Sequence, residues 1–150
     1  MADDMTIGLY RHIHPIEIRF VDLDLFGHVN NAHHLTYLEQ SRVTYFDRII
    51  GYEYDWSKEG IILAKAEIDY VVPIKFKDKA FVQVRCSRLG NKSLDLSYRI
   101  IKIHEDKEIL LADATTVLVA FDFVNQQSIQ VPAAWKKAII EFEHPDSVTR

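Results

Sequence analysis

One cysteine, Cys86, stands in the 150 residues, so neither an intrachain disulfide nor a cysteine-based zinc cluster can form. That fits a reducing compartment, and a cytoplasmic location is expected. Cys86 falls in an alternating stretch and reads as a small buried apolar residue rather than a reactive thiol. No apolar run approaches the ~18 residues of a membrane span, so no membrane partner is expected. The opening M-A-D-D-M-T-I-G carries acids and no apolar core, unlike a secretory signal. Excess positive charge is also absent. A formal net charge of −4 argues against a nucleic-acid partner, while leaving room for a local basic patch facing a phosphorylated ligand. No repeat, linker or low-complexity segment is present. The length suits one domain over 1–150, with its core at about 12–140.

What is present is organised around residues 17–50. Glu17 to Phe20 end a strand. Val21 to Val29 form a loop, because Asp22, Asp24 and Gly27 interrupt the apolar pattern. Asn31 suits a helix N-cap, and Ala32 to Ile50 run on without proline or glycine. A strand therefore feeds two acids and a glycine into a helix start. Such a start presents unpaired N–H groups and partial positive charge, and an acid beside it suits polarisation and attack of a carbonyl.

Along the chain, residues 1–10 read as a loose arm and Ile13 to Phe20 as the first strand. On the helix, Leu35, Leu38, Val43, Phe46, Ile49 and Ile50 recur at helical spacing, and Glu39 and Arg42 are placed to pair. Gly51 suits the helix end. Four extended segments follow: Ile61 to Phe76, Ala80 to Leu89, Ser93 to Ile103 and Ile109 to Phe123. Gly90–Asn91 and Glu105 to Lys107 mark tight turns. Pro132 opens a terminal helix over Ala133 to Glu141, and the last residues read as disordered. The pattern predicts an α+β fold in which a curved antiparallel sheet of about five strands wraps one long helix.

Asp22 and Asp24 either share a face toward a ligand or merely support a turn and a cap. Gly27 permits close approach of a ligand. Seven histidines invite a metal reading, with His28, His33 and His34 near the helix start. Yet His33 and His34 diverge by about 100° on a helix, and no H-x-x-x-H spacing exists, so no metal is expected. No G-x-S-x-G elbow supports a serine triad.

The stretch R-F-V-D-L-D-L-F-G-H-V-N-N-A-H-H-L-T-Y-L-E-Q-S-R resembles the signature of hotdog-fold acyl-CoA thioesterases of the 4-hydroxybenzoyl-CoA thioesterase type. Two positions depart from it: His34 replaces a usual tyrosine, and Leu23 a common threonine. The resemblance implies a hotdog fold, an acyl-CoA substrate, no cofactor, and a homodimer, often a dimer of dimers. It implies that Asp24 is the catalytic carboxylate, as nucleophile or general base, and that the Asn31 N–H polarises the carbonyl. Asp22 reads as loop-shaping. The substrate side is assigned to Gly27, His28, His34, Tyr37, Lys92 and Ser93, with Lys92 meeting coenzyme A phosphates after the Gly90–Asn91 turn. The alternatives are an acyl-carrier-protein thioesterase and a non-catalytic acyl-CoA-binding subunit.

Overall fold

The computed structural model describes residues 8–149. Residues 1–7 of the expected loose arm, and Arg150, lie outside them. The described chain runs β1 (His12–Pro15), a 3-10 turn (Phe20–Asp22), α1 (Asn31–Ile49), β2 (Glu59–Tyr70), β3 (Ala80–Leu89), β4 (Ser93–His104), β5 (Lys107–Asp122), β6 (Gln127–Ser128) and α2 (Ala133–Phe142). All strand pairs are antiparallel, in the order β1-β3-β4-β5-β2, with β6 added to β5. The hairpins follow from their turn residues. Glu105 and Asp106 both adopt positive φ, 50° and 62°, as a tight two-residue turn requires. Bulges between Leu63 and Lys65 and between Cys86 and Arg88 add the twist that long strands need.

The first strand is shorter than its alternation suggests. The ladder stops at Pro15, opposite Phe81, because its partner β3 begins at Ala80; beyond it Asp22 shapes the 3-10 turn, accepting the Arg19 N–H at 3.0 Å. The helix cap is Asn30 rather than Asn31. Asn30 Oδ1 accepts the Ala32 N–H at 2.9 Å, which makes Asn31 the first helical residue. Gly51 follows the last turn at φ 125°, a conformation that suits glycine.

The buried face of α1 carries His34, Tyr37, Leu38, Ser41, Tyr45 and Phe46. It packs on a core that includes Val82, Val84, Leu94, Leu96 and Leu118. Leu35 and Val43, expected on the apolar stripe, are 44% and 54% exposed. The Glu39–Arg42 pair does not form among the described residues. Arg42 Nη1 instead donates to the Tyr98 hydroxyl at 3.3 Å.

The C-terminal residues are ordered, against expectation. Glu143 Oε1 accepts from the Tyr45 hydroxyl at 2.6 Å and from the Cys86 N–H at 2.7 Å. Thr149 pairs beside β3, its N–H donating to Ser87 O at 3.0 Å. Trp135 and Ile139 of α2 are buried, each worth roughly 1.5–3 kcal/mol of apolar transfer. Cys86 is buried and its thiol is pushed up to about 12 by burial, so it stays protonated, as the sequence suggests.

Candidate active site

The site begins with a staple. Asp22 is fully buried. Its Oδ1 accepts from Arg19 Nε and Nη2 at 3.0 and 2.8 Å, and its Oδ2 from the Tyr37 hydroxyl at 2.7 Å. Its backbone carbonyl accepts the Asn30 N–H at 2.8 Å. Burial alone would raise the carboxyl's pKa, but the hydrogen bonds from Arg19 and Tyr37 hold it below the usual carboxylate range. One anion thus ties the strand exit, the loop and the second turn of α1 together.

With its start held, the loop turns at Asp24. Asp24 Oδ1 accepts from the Phe26 and His28 N–H groups at 2.9 and 3.3 Å. Its backbone N–H donates to His28 O at 2.8 Å, and Gly27, at φ 77°, closes the turn by donating to Asp24 O at 3.1 Å. Among the described residues Oδ2 of Asp24 accepts nothing. The same holds for the Asn31 N–H, the first of the helix, which donates to no described acceptor. Asp24, His28, Asn31, His34, Tyr70 and Val72 line one pocket of about 310 Å³. Asp24, with one carboxylate oxygen that accepts nothing among the described residues, and Asn31, at the positive end of α1, thus line a single cleft.

His34 forms part of the pocket wall. Its Nδ1 lies 3.4 Å from Asn30 O, so Nδ1 carries the proton and donates. Burial lowers its pKa, which favours the neutral ring at pH 7. Tyr70 packs edge-on to that ring at 4.8 Å and donates its hydroxyl to Asn31 O at 3.2 Å. Tyr70 and Val71 to Pro73 complete the cleft, and no local motif marks them. Tyr37 does not line the cleft: it is buried with its hydroxyl taken up by Asp22. The other histidines have neighbours of their own. His12 and His14 both contact Thr44 Oγ1, at 2.9 and 3.3 Å, and burial brings His12 down to about 4. His33 faces Asp22 at 3.6 Å. Among the described residues no three His, Cys, Asp or Glu side chains gather to hold a metal.

Lys92 and Ser93 are not brought to this cleft within the chain. Ser93 pairs with Val119, which pairs with Ile62, whereas Tyr70 lies eight residues further along β2. The separation is about 26 Å at the usual strand rise. Ser93 Oγ already accepts from Arg88 Nη2 at 2.8 Å, and Arg88 also grips Asp95. At that end of the sheet a second pocket, about 330 Å³, is lined by Arg42, Phe46, Trp56, Ile61, Leu63 and Phe123.

A long helix laid on a curved antiparallel sheet, with an acid turn at the helix start, defines a hotdog fold. The chain belongs to the Thioesterase-like superfamily, whose family model matches residues 18–139. It is similar to a thioesterase from Thermus thermophilus, solved in complex with coenzyme A and Zn, at 33% identity and TM-score 0.77, covering 89% of this chain and 95% of that one. It is 25% identical over 115 residues to the long-chain acyl-CoA thioesterase FadM of Escherichia coli K12, covering 76% of this chain and 86% of that protein. Over 89 residues it is 26% identical to the uncharacterized protein YsmA of Bacillus subtilis strain 168, where the match spans 59% of this chain and 60% of that protein. Membership of this superfamily and the two relatives named as thioesterases support thioester hydrolysis. Among the described residues no helix is long and apolar enough to cross a membrane.

Proposed function

We propose that this chain is an acyl-CoA thioesterase of the 4-hydroxybenzoyl-CoA thioesterase type. The observation that carries the reading is the cleft that Asp24 and the helix-start residue Asn31 line together. A thioester carbonyl set with its oxygen toward Asn31 gains from that donor and from the helix dipole. Asp24 then attacks the carbonyl carbon, or takes a proton from the water that does. By either route water is consumed, the C–S bond breaks, and a free acid and coenzyme A thiol leave. The reading requires no metal or organic cofactor. Purified protein assayed on acyl-CoA substrates with and without EDTA is expected to turn over equally. Loss of activity in EDTA, restored by a divalent ion, would return the histidines to the mechanism as ligands.

The same reading makes the working unit a homodimer, assembled further into a dimer of dimers. β2 is an edge strand of twelve residues, and an edge of that length is a template for pairing. Leu35 and Val43 on α1, and Ile62 and Leu63 on β2, add exposed apolar surface on that flank. Isologous antiparallel pairing along β2 sets the start of one strand beside the end of its partner. It therefore delivers the partner's Lys92 end, with its aromatic pocket, to the Asp24 cleft. Sedimentation at assay concentration is expected to give a dimer or larger. An active monomer would remove both the pairing and the shared site.

In that arrangement Lys92 meets coenzyme A phosphates at a solvent-exposed rim. Such contact is equal in ground and transition states, so its loss raises KM and spares kcat. Lys92→Ala is expected to raise KM for acyl-CoA several-fold, an effect of about 0.5–1 kcal/mol that fades as salt rises. Hydrolysis of a short thioester without the nucleotide should barely change. Equal loss on both substrates would mean that Lys92 serves the fold or the reaction centre instead.

A further inference from the structure

His34 carries more chemistry than a cleft wall requires. It is 3% exposed and sits in the first turn of α1. With the proton on Nδ1 committed to Asn30 O, the far ring nitrogen, Nε2, presents a lone pair. Among the described residues nothing donates to it. Nor is it sealed off, as the unpartnered Nδ1 of His12 is. For a side chain this buried, the remaining opening is the cleft that it lines with Asp24 and Asn31. Tyr70 fixes the ring edge-on at 4.8 Å, and its hydroxyl is engaged by Asn31 O. A buried acceptor without a protein partner calls for water or for a group of the ligand.

The titratable groups around His34 are Asp24 and His28 on the turn, His33 and Tyr37 on α1, and Tyr70 on β2. Burial outweighs the backbone carbonyls beside the ring and keeps it neutral at pH 7. A neutral imidazole is the side chain best suited to take a proton near that pH. The Asp24 carboxylate differs. Its Oδ1 is fixed by the Phe26 and His28 N–H groups, and a fixed carboxylate suits attack on a carbonyl held in place. His28 shares the cleft, but among the described residues no hydrogen bond fixes its ring. One cleft thus holds an anchored carboxylate and an anchored base.

We infer that His34 is the general base of the reaction: Asp24 attacks the thioester, and Nε2 of His34 takes the proton of the water that follows. This assignment rests on the thioesterase reading and chooses between the two routes left open there. A carboxylate oxygen of Asp24 bonds to the thioester carbonyl carbon, the C–S bond breaks, and the thiolate of coenzyme A leaves. The acyl group is then held on Asp24 as a mixed anhydride. Water attacks the acyl carbon, its proton passes to Nε2, and the bond from that carbon to the Asp24 oxygen breaks. The free acid departs, the carboxylate is restored, and Nε2 returns its proton to the thiolate or to solvent.

The test uses His34→Asn with octanoyl-coenzyme A. Asparagine keeps an N–H able to donate to Asn30 O and removes the base. Steady-state kcat is expected to fall about 100-fold or more, the usual contribution of a general base. The first turnover should still release thiol in a stoichiometric burst, because the attack by Asp24 does not need the base. Hydroxylamine, a nucleophile that needs no such help, should restore turnover and yield the octanoyl hydroxamate. In the unaltered protein kcat should rise with pH through an inflection below 6.5, the ordinary histidine value, and the variant should lose that inflection. His34→Gln, which also lacks a base, should show the same burst and rescue, so the test stands if one variant fails to fold. A kcat within about threefold of the unaltered protein would remove His34 from the reaction. A fall in kcat with neither burst nor rescue would reduce it to a support of the helix start. Burst and rescue in His28→Asn but not in the His34 variants would move the base to His28 and overturn the assignment. Failure of the unaltered protein on both octanoyl- and benzoyl-coenzyme A would instead defeat the thioesterase reading itself.

Discussion

Asp24→Asn is expected to lower kcat for acyl-CoA hydrolysis by about two orders of magnitude or more, the usual loss when an acid–base or nucleophilic carboxylate is removed. The substitution is unusually clean here. Asparagine keeps a carbonyl oxygen where Oδ1 accepts from the Phe26 and His28 N–H groups, so the turn is retained. The backbone bonds that close the turn, Asp24 N–H to His28 O and Gly27 N–H to Asp24 O, do not depend on the side chain. What disappears is the negative charge and basicity of a carboxylate that lines the cleft. Single-turnover and steady-state assays on one acyl-CoA, with a thermal melt of the same sample, would separate chemistry from folding. A variant with near-normal kcat would remove Asp24 from the reaction.

The second large effect concerns the neighbouring acid and is a change in stability. Asp22→Ala removes a fully buried anion that accepts three hydrogen bonds from Arg19 and one from the Tyr37 hydroxyl. Breaking a buried charged network by deleting one partner costs about 3–5 kcal/mol, and the exposed position of the Arg19 side chain argues for the lower end. Denaturant unfolding at pH 7 should show a loss of about 3 kcal/mol, whereas Tyr37→Phe, which removes one donor, should lose about 1–2 kcal/mol. The sign with pH follows from the depressed pKa of Asp22. Its contribution is complete above the ordinary carboxylate value of 3.8 and fades as pH falls through the lower folded value. The gap between the unaltered protein and Asp22→Ala should therefore narrow in acid. A difference under about 0.5 kcal/mol at pH 7 would show that the loop is held by other contacts.

Most of the fold was legible because its signals are local. Alternation marked β3 at Ala80–Leu89 with its observed limits, and the unbroken run after Asn31 marked α1. Two consecutive asparagines are both able to cap, which is why the cap moved by one residue without moving the helix. The short β1 was illegible in part because alternation continues past Pro15, while the strand ends where its non-local partner β3 begins, at Ala80. Among the residues that line the cleft, Asp24, His28, Asn31 and His34 were readable as one contiguous stretch. Tyr70 and Val72 were not, since the topology alone folds the end of β2 back onto the helix start. Tyr37 looked like pocket lining from its place on the helix, yet a buried tyrosine hydroxyl needs an acceptor, and Asp22 provides it. The exposure of Leu35 and Val43 was equally hidden, because apolar spacing does not reveal whether a face meets its own sheet or a neighbour.

The carboxylate of Glu143 also sets a timetable for synthesis. It serves a hydroxyl 98 residues earlier in the chain and an amide 57 residues earlier, at Tyr45 and Cys86. A nascent chain that has not yet extruded Glu143 lacks the acceptor for both groups, at a penalty of about 1–3 kcal/mol for each buried donor left bare. The long helix and the first strands therefore emerge from the ribosome well before they can settle, and the exposed edge and aromatic surfaces are on view throughout that interval. Consolidation of the domain is expected to wait for the emergence of Glu143 rather than to follow directly on that of α1 and the first strands.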